Sequence, residues 1–258
     1  MSLTANSGPF GKKPAGQFNF EVETPTGAVL YWDPVPQRIR GTFAGQTVVD
    51  TMDARLLHES TLLPVYYFPE RDVRMDLLAR SETTSHCPHK GDAVYWSLEV
   101  GRRKAPDAAW AYPTPIEHAP FLGGHLAFYW SALDQWFAED EPLYGHPRDP
   151  YVRIDVYRMS RRVRALLDGE VLADSVRVKA LYETSLRTRY YFPPEDVRLD
   201  LLEPSTTVTR CAYKGTASHF HALGHEDIAW IYANPQHDGE PIRDYIAFYD
   251  ERLEIETS

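Results

Sequence analysis

Long apolar runs and basic clusters are scarce in this chain of 258 residues. No apolar run approaches the ~20 residues that a transmembrane helix needs, so we expect no membrane partner. Met1–Asn19 has no apolar core of a signal peptide and is interpreted as a disordered lead-in. Acidic residues outnumber Lys and Arg by 37 to 27, which gives a net charge of −10. This balance argues against a nucleic-acid partner, since such surfaces need clustered Lys and Arg.

Cysteine is scarce as well, and the residue patterns of common cofactor sites are missing. Cys87 and Cys211 are the only cysteines. They occupy matching positions of the internal repeat described next, so we expect two free thiols and a reducing, cytoplasmic location. There is no Cys-x-x-Cys and no His-Glu-x-x-His pattern, so no metal site is predicted. A glycine-rich phosphate loop and a nucleophile elbow are also absent, and no cofactor is expected.

What the chain does contain is a duplication with an offset of 124 residues. Between Arg55–Ala79 and Lys179–Glu203, 13 of the 25 aligned positions are identical without a gap. The repeated strings are Tyr-Tyr-Phe-Pro, Asp-Val-Arg, Asp-Leu-Leu and, around the cysteine, Cys-x-x-Lys-Gly. After the shared Lys-Gly the offset falls to 120, so the second copy has lost four residues at a strand connection. Such a dense match indicates tandem domains that arose by duplication.

The strand signals predict a mainly β protein made of two small β domains. Hairpins are expected around Gly45 and at Asp168-Gly169, because these residues tolerate a positive φ. A single helical turn is expected after Pro69 and its counterpart Pro193. Ser131–Glu141 is predicted to be a short helical linker from its apolar spacing. The domains then span residues 20–140 and 150–252, with a boundary near residue 145.

Three residues of the first repeat are the candidates for catalysis. Cys87 precedes Lys90 by three residues, and a nearby ammonium would raise the thiolate fraction that a nucleophile needs. Glu59 lies in an apolar, strand-like run, where a buried carboxylate could act as a general base or pair with Arg74. The alternative interpretation is a buried small cysteine with a surface lysine in a glycine-closed turn.

Aromatic and charged residues that recur in both copies are the candidates for ligand binding. Apolar walls with a few polar tips are typical of small-molecule pockets, although repeated aromatics also serve as core residues. The candidates of the first repeat are Tyr67, Arg74, Tyr95, Trp110 and Tyr112. Those of the second repeat are Glu183, Tyr191, Cys211, Lys214 and Trp230.

The whole set of motifs resembles the bacterial family catalogued as domain of unknown function 427. The resemblance rests on Tyr-Tyr-Phe-Pro, Asp-Val-Arg, Cys-Pro-x-Lys-Gly with Tyr-Trp four residues on, Ala-Trp-x-Tyr and Phe-Tyr, and covers about Trp32 to Glu251. It implies a compact β fold similar to the Mss4-like β-tent group. Some members carry a nucleotidyltransferase label, but this chain has neither paired metal-binding carboxylates nor a phosphate loop. The second copy departs from the pattern at Ala212 and at His219-Phe220, which favours the first repeat as the working site.

These observations predict a soluble two-repeat protein with a small-molecule pocket in the first repeat. Three functions remain open: an enzyme that uses Cys87, Lys90 and Glu59, a ligand-binding or protein-interaction module without turnover, and a pair of purely structural domains. The partner is expected to be an unknown small molecule. The two repeats are expected to pack on each other, and a homodimer of the whole chain remains open.

Overall fold

Antiparallel strands build both halves of the chain in the computed structural model, which describes residues 3–258. Residues up to Asp149 form one compact unit and Pro150–Ser258 form the other. The prediction of a mainly β protein with two similar halves is confirmed. Within residues 3–258, no helix is both long and apolar enough to cross a membrane.

The first unit contains eleven strands in two sheets. The larger sheet has seven strands in the order β1-β4-β5-β9-β8-β7-β6, and the smaller has four in the order β11-β10-β2-β3. Their bounds are β1 Leu30–Pro34, β2 Ile39–Phe43, β3 Gln46–Thr51, β4 Arg55–Glu59, β5 Val65–Pro69, β6 Leu78–Cys87, β7 Gly91–Val100, β8 Arg103–Ala111, β9 His125–Phe128, β10 Gln135–Ala138 and β11 Glu141–Leu143. Single 3₁₀ turns occupy Glu70–Asp72, Met75–Leu77, Pro120–Leu122 and Trp130–Ala132.

The second unit repeats this plan with ten strands. Its larger sheet has the order β12-β15-β16-β20-β19-β18-β17, and its smaller sheet has the order β14-β13-β21. The bounds are β12 Ile154–Arg158, β13 Val163–Leu167, β14 Glu170–Ser175, β15 Lys179–Glu183, β16 Arg189–Phe192, β17 Leu202–Cys211, β18 Gly215–Ala222, β19 His225–Ile231, β20 Ile246–Phe248 and β21 Glu254–Thr257. Its 3₁₀ segments are Pro194–Asp196, Leu199–Leu201 and His237–Ile242. The four lost residues shorten both arms of the β18–β19 hairpin relative to β7–β8.

Turn chemistry fixes the hairpins of the smaller sheets. The β2–β3 turn has φ of 49° at Ala44 and 76° at Gly45, and the β13–β14 turn has 53° at Asp168 and 85° at Gly169. Two successive residues with positive φ match the right-handed twist of the flanking strands. Both predicted hairpins are therefore confirmed, as is the helical turn after Pro69 and Pro193.

The predicted helix over Ser131–Glu141 is wrong. Only Trp130–Ala132 forms a 3₁₀ turn, and the chain then enters strand β10, which pairs with β2. Trp136 is buried in the core between the sheets, whereas the ring of the next residue, Phe137, lies under the guanidinium of Arg40 at 5.1 Å. Two adjacent aromatics that suggested one helical face thus lie on opposite faces of a strand.

A glycine makes room for that tryptophan. Gly41 pairs with Trp136 across the sheet, and a Cβ on Gly41 would lie 2.5 Å from Leu133 Cδ2 and 2.9 Å from the Trp136 ring. At the equivalent place in the second repeat, Ala165 faces the smaller Ile255. In each repeat, a small residue on one strand thus leaves room for the larger residue that pairs with it.

Each large sheet has two apolar faces, and the repeated Tyr-Tyr-Phe string shows how they are divided. Tyr66 and Phe68 pack into the core against the smaller sheet, whereas Tyr67 packs into a second cluster on the opposite face. Phe192 and Tyr191 divide in the same way in the second repeat. Because strand residues alternate between faces, one string supplies both the main core and the wall of the second face.

The beginning of the described chain is not a loose lead-in. Thr4 and Ala5 are 3% and 2% exposed, and the Thr4 hydroxyl donates to the Glu59 carbonyl. The Thr61 amide donates to the Thr4 carbonyl. The expected disorder is therefore wrong for these residues, which pack on the end of β4, while residues 1 and 2 lie outside the described part.

Candidate functional site

A glutamate–lysine ion pair lies on the second face of each large sheet. Lys90 Nζ bonds Glu59 Oε2, and Lys214 Nζ bonds Glu183 Oε2. The side chains are 11% and 12% exposed in the first pair and 10% each in the second. Charged groups are costly to bury unless they are paired, so each partner offsets part of the desolvation cost of the other.

Strand ends and a tight turn bring each pair together. Glu183 is the last residue of β15, and Lys214 sits in the three-residue turn between β17 and β18. The turn is held by the Gln236 amide, which donates to the Lys214 carbonyl at 3.0 Å. In the first repeat the Ile116 amide does the same for Lys90 at 3.1 Å. This backbone hydrogen bond holds the lysine turn in position, and the lysine side chain reaches the carboxylate from there.

Aromatic side chains surround the pair in the same arrangement in both repeats. Trp110 Nε1 donates to the Tyr67 hydroxyl at 3.3 Å, and Trp230 Nε1 donates to the Tyr191 hydroxyl at 3.2 Å. The Lys90 ammonium lies 5.8 Å from the centre of the Tyr112 ring. Burial raises the pKa of Tyr67, Tyr112 and Tyr191 well above the ordinary tyrosine value. These hydroxyls are therefore neutral at physiological pH and available as hydrogen-bond donors.

The two cysteines are half-buried free thiols at the strand ends just before the turn. Cys211 Sγ accepts hydrogen bonds from the amides of Tyr213 at 3.5 Å and Lys214 at 3.4 Å. The ammonium of Lys214 is bonded to Glu183, as that of Lys90 is to Glu59, so the carboxylate offsets the positive charge that would activate either thiol.

A side-chain hydrogen bond occurs at equivalent positions of the two repeats, although the residues that form it differ. In the first repeat the hydroxyls of Ser85 and Tyr95 are 2.8 Å apart, and in the second Thr209 Oγ1 lies 2.9 Å from His219 Nε2. His219 also stacks on the Tyr249 ring, with 14° between the planes. The histidine that breaks the Tyr-Trp pattern thus keeps the role of a hydrogen-bond partner.

An open cavity of about 380 Å³ lies over the ion pair of the second repeat. Its lining includes four predicted residues, Glu183, Tyr191, Lys214 and Trp230. It also includes Tyr232, the counterpart of the candidate Tyr112, and residues that the sequence did not single out for binding, namely Arg187, Arg189, Thr209, Tyr249 and Glu251.

The rim of this cavity is charged. Arg189 Nη1 bonds Glu251 Oε2 at 2.8 Å, and Arg187 Nη1 lies 3.4 Å from Asp250 Oδ2. The Arg189 guanidinium also sits over the Trp230 ring at 5.6 Å from its centre. Cations and anions are therefore paired around the mouth, and the cavity offers donors and acceptors at both its floor and its rim.

Arg74 does not belong to this site. Its guanidinium makes two bonds of 2.7 Å to Asp76, and its side chain is 52% exposed. The neighbouring Val73 packs into the core on the other face of the sheet. The suggested pairing of Arg74 with Glu59 is wrong, because Lys90 takes that place. Within residues 3–258, no group of three or more His, Cys, Asp and Glu side chains could hold a metal ion.

We expect the second repeat to lose less stability at acid pH when His219 is replaced by tyrosine, the residue at the equivalent position 95. Burial lowers the pKa of His219, so its neutral form is favoured in the native state. The unfolded chain takes up the proton below a pH of about 6.5, so stability is present above that pH and lost as the pH falls. The loss for one proton is at most about 1.4 kcal/mol per pH unit.

Urea unfolding of the wild type and of His219→Tyr at pH 7.5 and 5.5 measures this difference. We expect the wild type to lose more stability than the variant in the transition of the second repeat. Equal losses would show that His219 does not account for the acid sensitivity of the second repeat.

One family model matches both repeats of the chain. A family model described as Domain of unknown function (DUF427) matches residues 32–139 and 155–258. The two matched segments correspond to the two similar halves of the fold. No curated protein matches the chain.

Proposed function

The chain belongs to the DUF427 family, and on that premise we propose that its second repeat binds a small aromatic molecule bearing charged or hydrogen-bonding groups. The observation that carries this proposal is the cavity of about 380 Å³ over the Glu183–Lys214 pair. Its volume lies within the range of small-molecule sites, and such sites combine apolar walls with a few placed polar groups.

The lining supports a ring-shaped ligand with polar groups at its ends. Tyr191, Trp230, Tyr232 and Tyr249 supply aromatic wall surface that a flat molecule can contact. At the rim, Arg189 and Glu251 present one cation and one anion that are both within reach of solvent. A ligand that carries a carboxylate and an amine can match such paired charges without leaving either partner uncompensated.

Binding without turnover is the function that this site supports best. An enzyme that uses a lysine-activated cysteine needs an ammonium with an uncompensated charge, but Lys90 and Lys214 each bond a glutamate. The cavity also lies in the repeat that departs from the family pattern. We therefore place the polar-ligand site in the second repeat rather than in the first, which the sequence had favoured.

Thermal unfolding in the presence of L-phenylalanine, phenylacetate and phenethylamine tests the proposal. Only a molecule that binds the native state raises the melting temperature. We expect L-phenylalanine to give the largest shift, because it alone carries both charges. A binding contribution of 1 kcal/mol corresponds to about 4–8 °C for a domain of this size.

Arg187→Leu provides the variant, since leucine stands at the equivalent position 63. Arg187 is 54% exposed and lines the cavity, so the substitution removes a rim charge with little effect on folding. The shifts with L-phenylalanine and phenylacetate should fall, and that with phenethylamine should not. The control is Arg153→Leu, which removes an exposed arginine paired with Asp155 outside the cavity lining. Equal losses in both variants, or no shift with any of the three probes, would contradict the proposal.

A further inference from the structure

The first repeat carries an apolar cavity of about 270 Å³ that the site described above does not include. Its walls are the side chains of Leu63, Val65, Trp110, Phe128, Tyr129 and Trp130. Trp136 and the segment around His146 and Pro147 complete it. None of its described lining residues is an aspartate, glutamate, lysine or arginine.

The aromatic walls are held in place by their own contacts. The rings of Trp130 and Trp136 stack with 17° between their planes and 5.1 Å between their centres. Trp136 Nε1 donates to the Trp130 carbonyl at 3.0 Å, which fixes this stack. Trp110 and Tyr129 form a second ring pair at 4.6 Å. The cavity is therefore built from flat surfaces whose orientation is set before any ligand arrives.

The mouth of the cavity is apolar and open to solvent. Leu63 is 46% exposed and Tyr129 is 48% exposed. The His146 ring also lines the cavity, and its Nδ1 lies 2.7 Å from the Pro147 carbonyl. An entering molecule thus meets hydrocarbon and ring surfaces first.

The internal duplication shows that this apolar character is specific to the first repeat. The positions of Leu63 and Val65 are occupied by Arg187 and Arg189 in the second repeat. The position of Trp130 is occupied there by Asp250, which bonds both arginines. The two repeats share one fold, but the second has a network of ion pairs at the positions where the first has two aliphatic side chains and an indole.

We propose that this cavity is a second binding site, which takes an uncharged, planar aromatic molecule of about the size of indole. The aromatic walls give such a ring apolar surface to pack against, and apolar burial supplies the affinity. A charged ligand is rejected, because no opposite charge in the lining would compensate for its lost hydration. The two repeats then bind ligands of different chemistry, and this assignment does not depend on the site proposed for the second repeat.

Titration of the full chain with 5-fluoroindole, followed by calorimetry and by the fluorine resonance of the probe, tests the assignment. We expect saturable binding with a stoichiometry of one. Leu63→Arg imports the residue of the second repeat and should weaken the dissociation constant by at least about tenfold, because the guanidinium resists burial beside the ring. Leu62→Arg is the matched control, since Leu62 is 52% exposed, adjacent in sequence and outside the lining.

Four results would overturn the proposal. The first is equal weakening by Leu63→Arg and Leu62→Arg, and the second is the absence of saturable binding. A loss of 5-fluoroindole binding in Arg187→Leu would place the probe in the cavity of the second repeat instead. Sedimentation that shows a dimer of the wild type and a monomer of Leu63→Arg would mean that a second copy of the chain covers this surface.

Discussion

Replacement of Lys214 by methionine is expected to destabilise the second repeat by about 3–5 kcal/mol, because it leaves the buried Glu183 carboxylate without its cation. Both side chains of the pair are 10% exposed, so water replaces little of the lost interaction. Methionine keeps the length and apolar stem of the lysine, which limits any packing loss. The cost is therefore the desolvation of a carboxylate that no longer has a partner.

Urea unfolding followed by near-ultraviolet circular dichroism measures this loss, and two further variants separate its causes. Glu183→Gln in combination with Lys214→Met removes both charges and should recover most of the stability, because replacing both members of a buried pair is much less costly than removing one. Lys104→Met removes the cation of an exposed pair, whose side chains are 61% and 42% exposed, and should change stability by about 0–1 kcal/mol. A cost for Lys214→Met as small as that for Lys104→Met would show that solvent reaches Glu183.

The duplication explains why so much of the fold could be predicted from the sequence. Strand positions, hairpin turns and the helical turn after Pro69 depend on local patterns, and each pattern occurs twice. Asp168-Gly169 also specifies its hairpin by itself, because both residues tolerate the positive φ that the turn requires. The likeness to the β-tent group stays a prediction.

The partner of each glutamate could not be predicted in the same way. Glu59 and Lys90 were both candidates, but they lie 31 residues apart, on a strand end and in a hairpin turn. Their meeting depends on the order of strands in the sheet, in which β4 and the β6–β7 hairpin are not neighbours. Local periodicity carries no information about that order, so the sequence suggested Arg74 and not Lys90 as the charged partner of Glu59.

The rim of the cavity was missed for a different reason. Survival in both copies served to select site residues, and this criterion favours what the two repeats share. The equivalents of Arg187, Arg189 and Glu251 in the first repeat are Leu63, Val65 and Ser131. Because these residues differ between the copies, the criterion excluded them. The criterion therefore selects residues that hold the shared scaffold, and it misses the residues that would distinguish the two proposed ligands, because these differ between the copies.

Replacement of Gly215 by alanine is expected to cost the second repeat about 2–5 kcal/mol, through backbone strain together with a steric conflict. The φ of Gly215 is 99°, which side chains of L-residues rarely adopt, and an added Cβ would lie 2.9 Å from the Gln236 amide nitrogen. That amide bonds the Lys214 carbonyl, so relief of the conflict must move the lysine turn. The variant should therefore also weaken the L-phenylalanine shift of the second repeat.

Gly224→Ala separates the strain from the steric conflict. Gly224 has a φ of 81° in the β18–β19 hairpin, and an added Cβ meets nothing within 4 Å. This variant should cost only about 1–2 kcal/mol, the ordinary penalty for a left-handed L-residue. We expect the loss of unfolding free energy in Gly215→Ala to be larger than that in Gly224→Ala by about 1–3 kcal/mol, the range for an overpacked contact. Equal costs would mean that the Pro235-Gln236 segment yields freely, in which case the backbone bond to Gln236 does not hold Lys214 against Glu183.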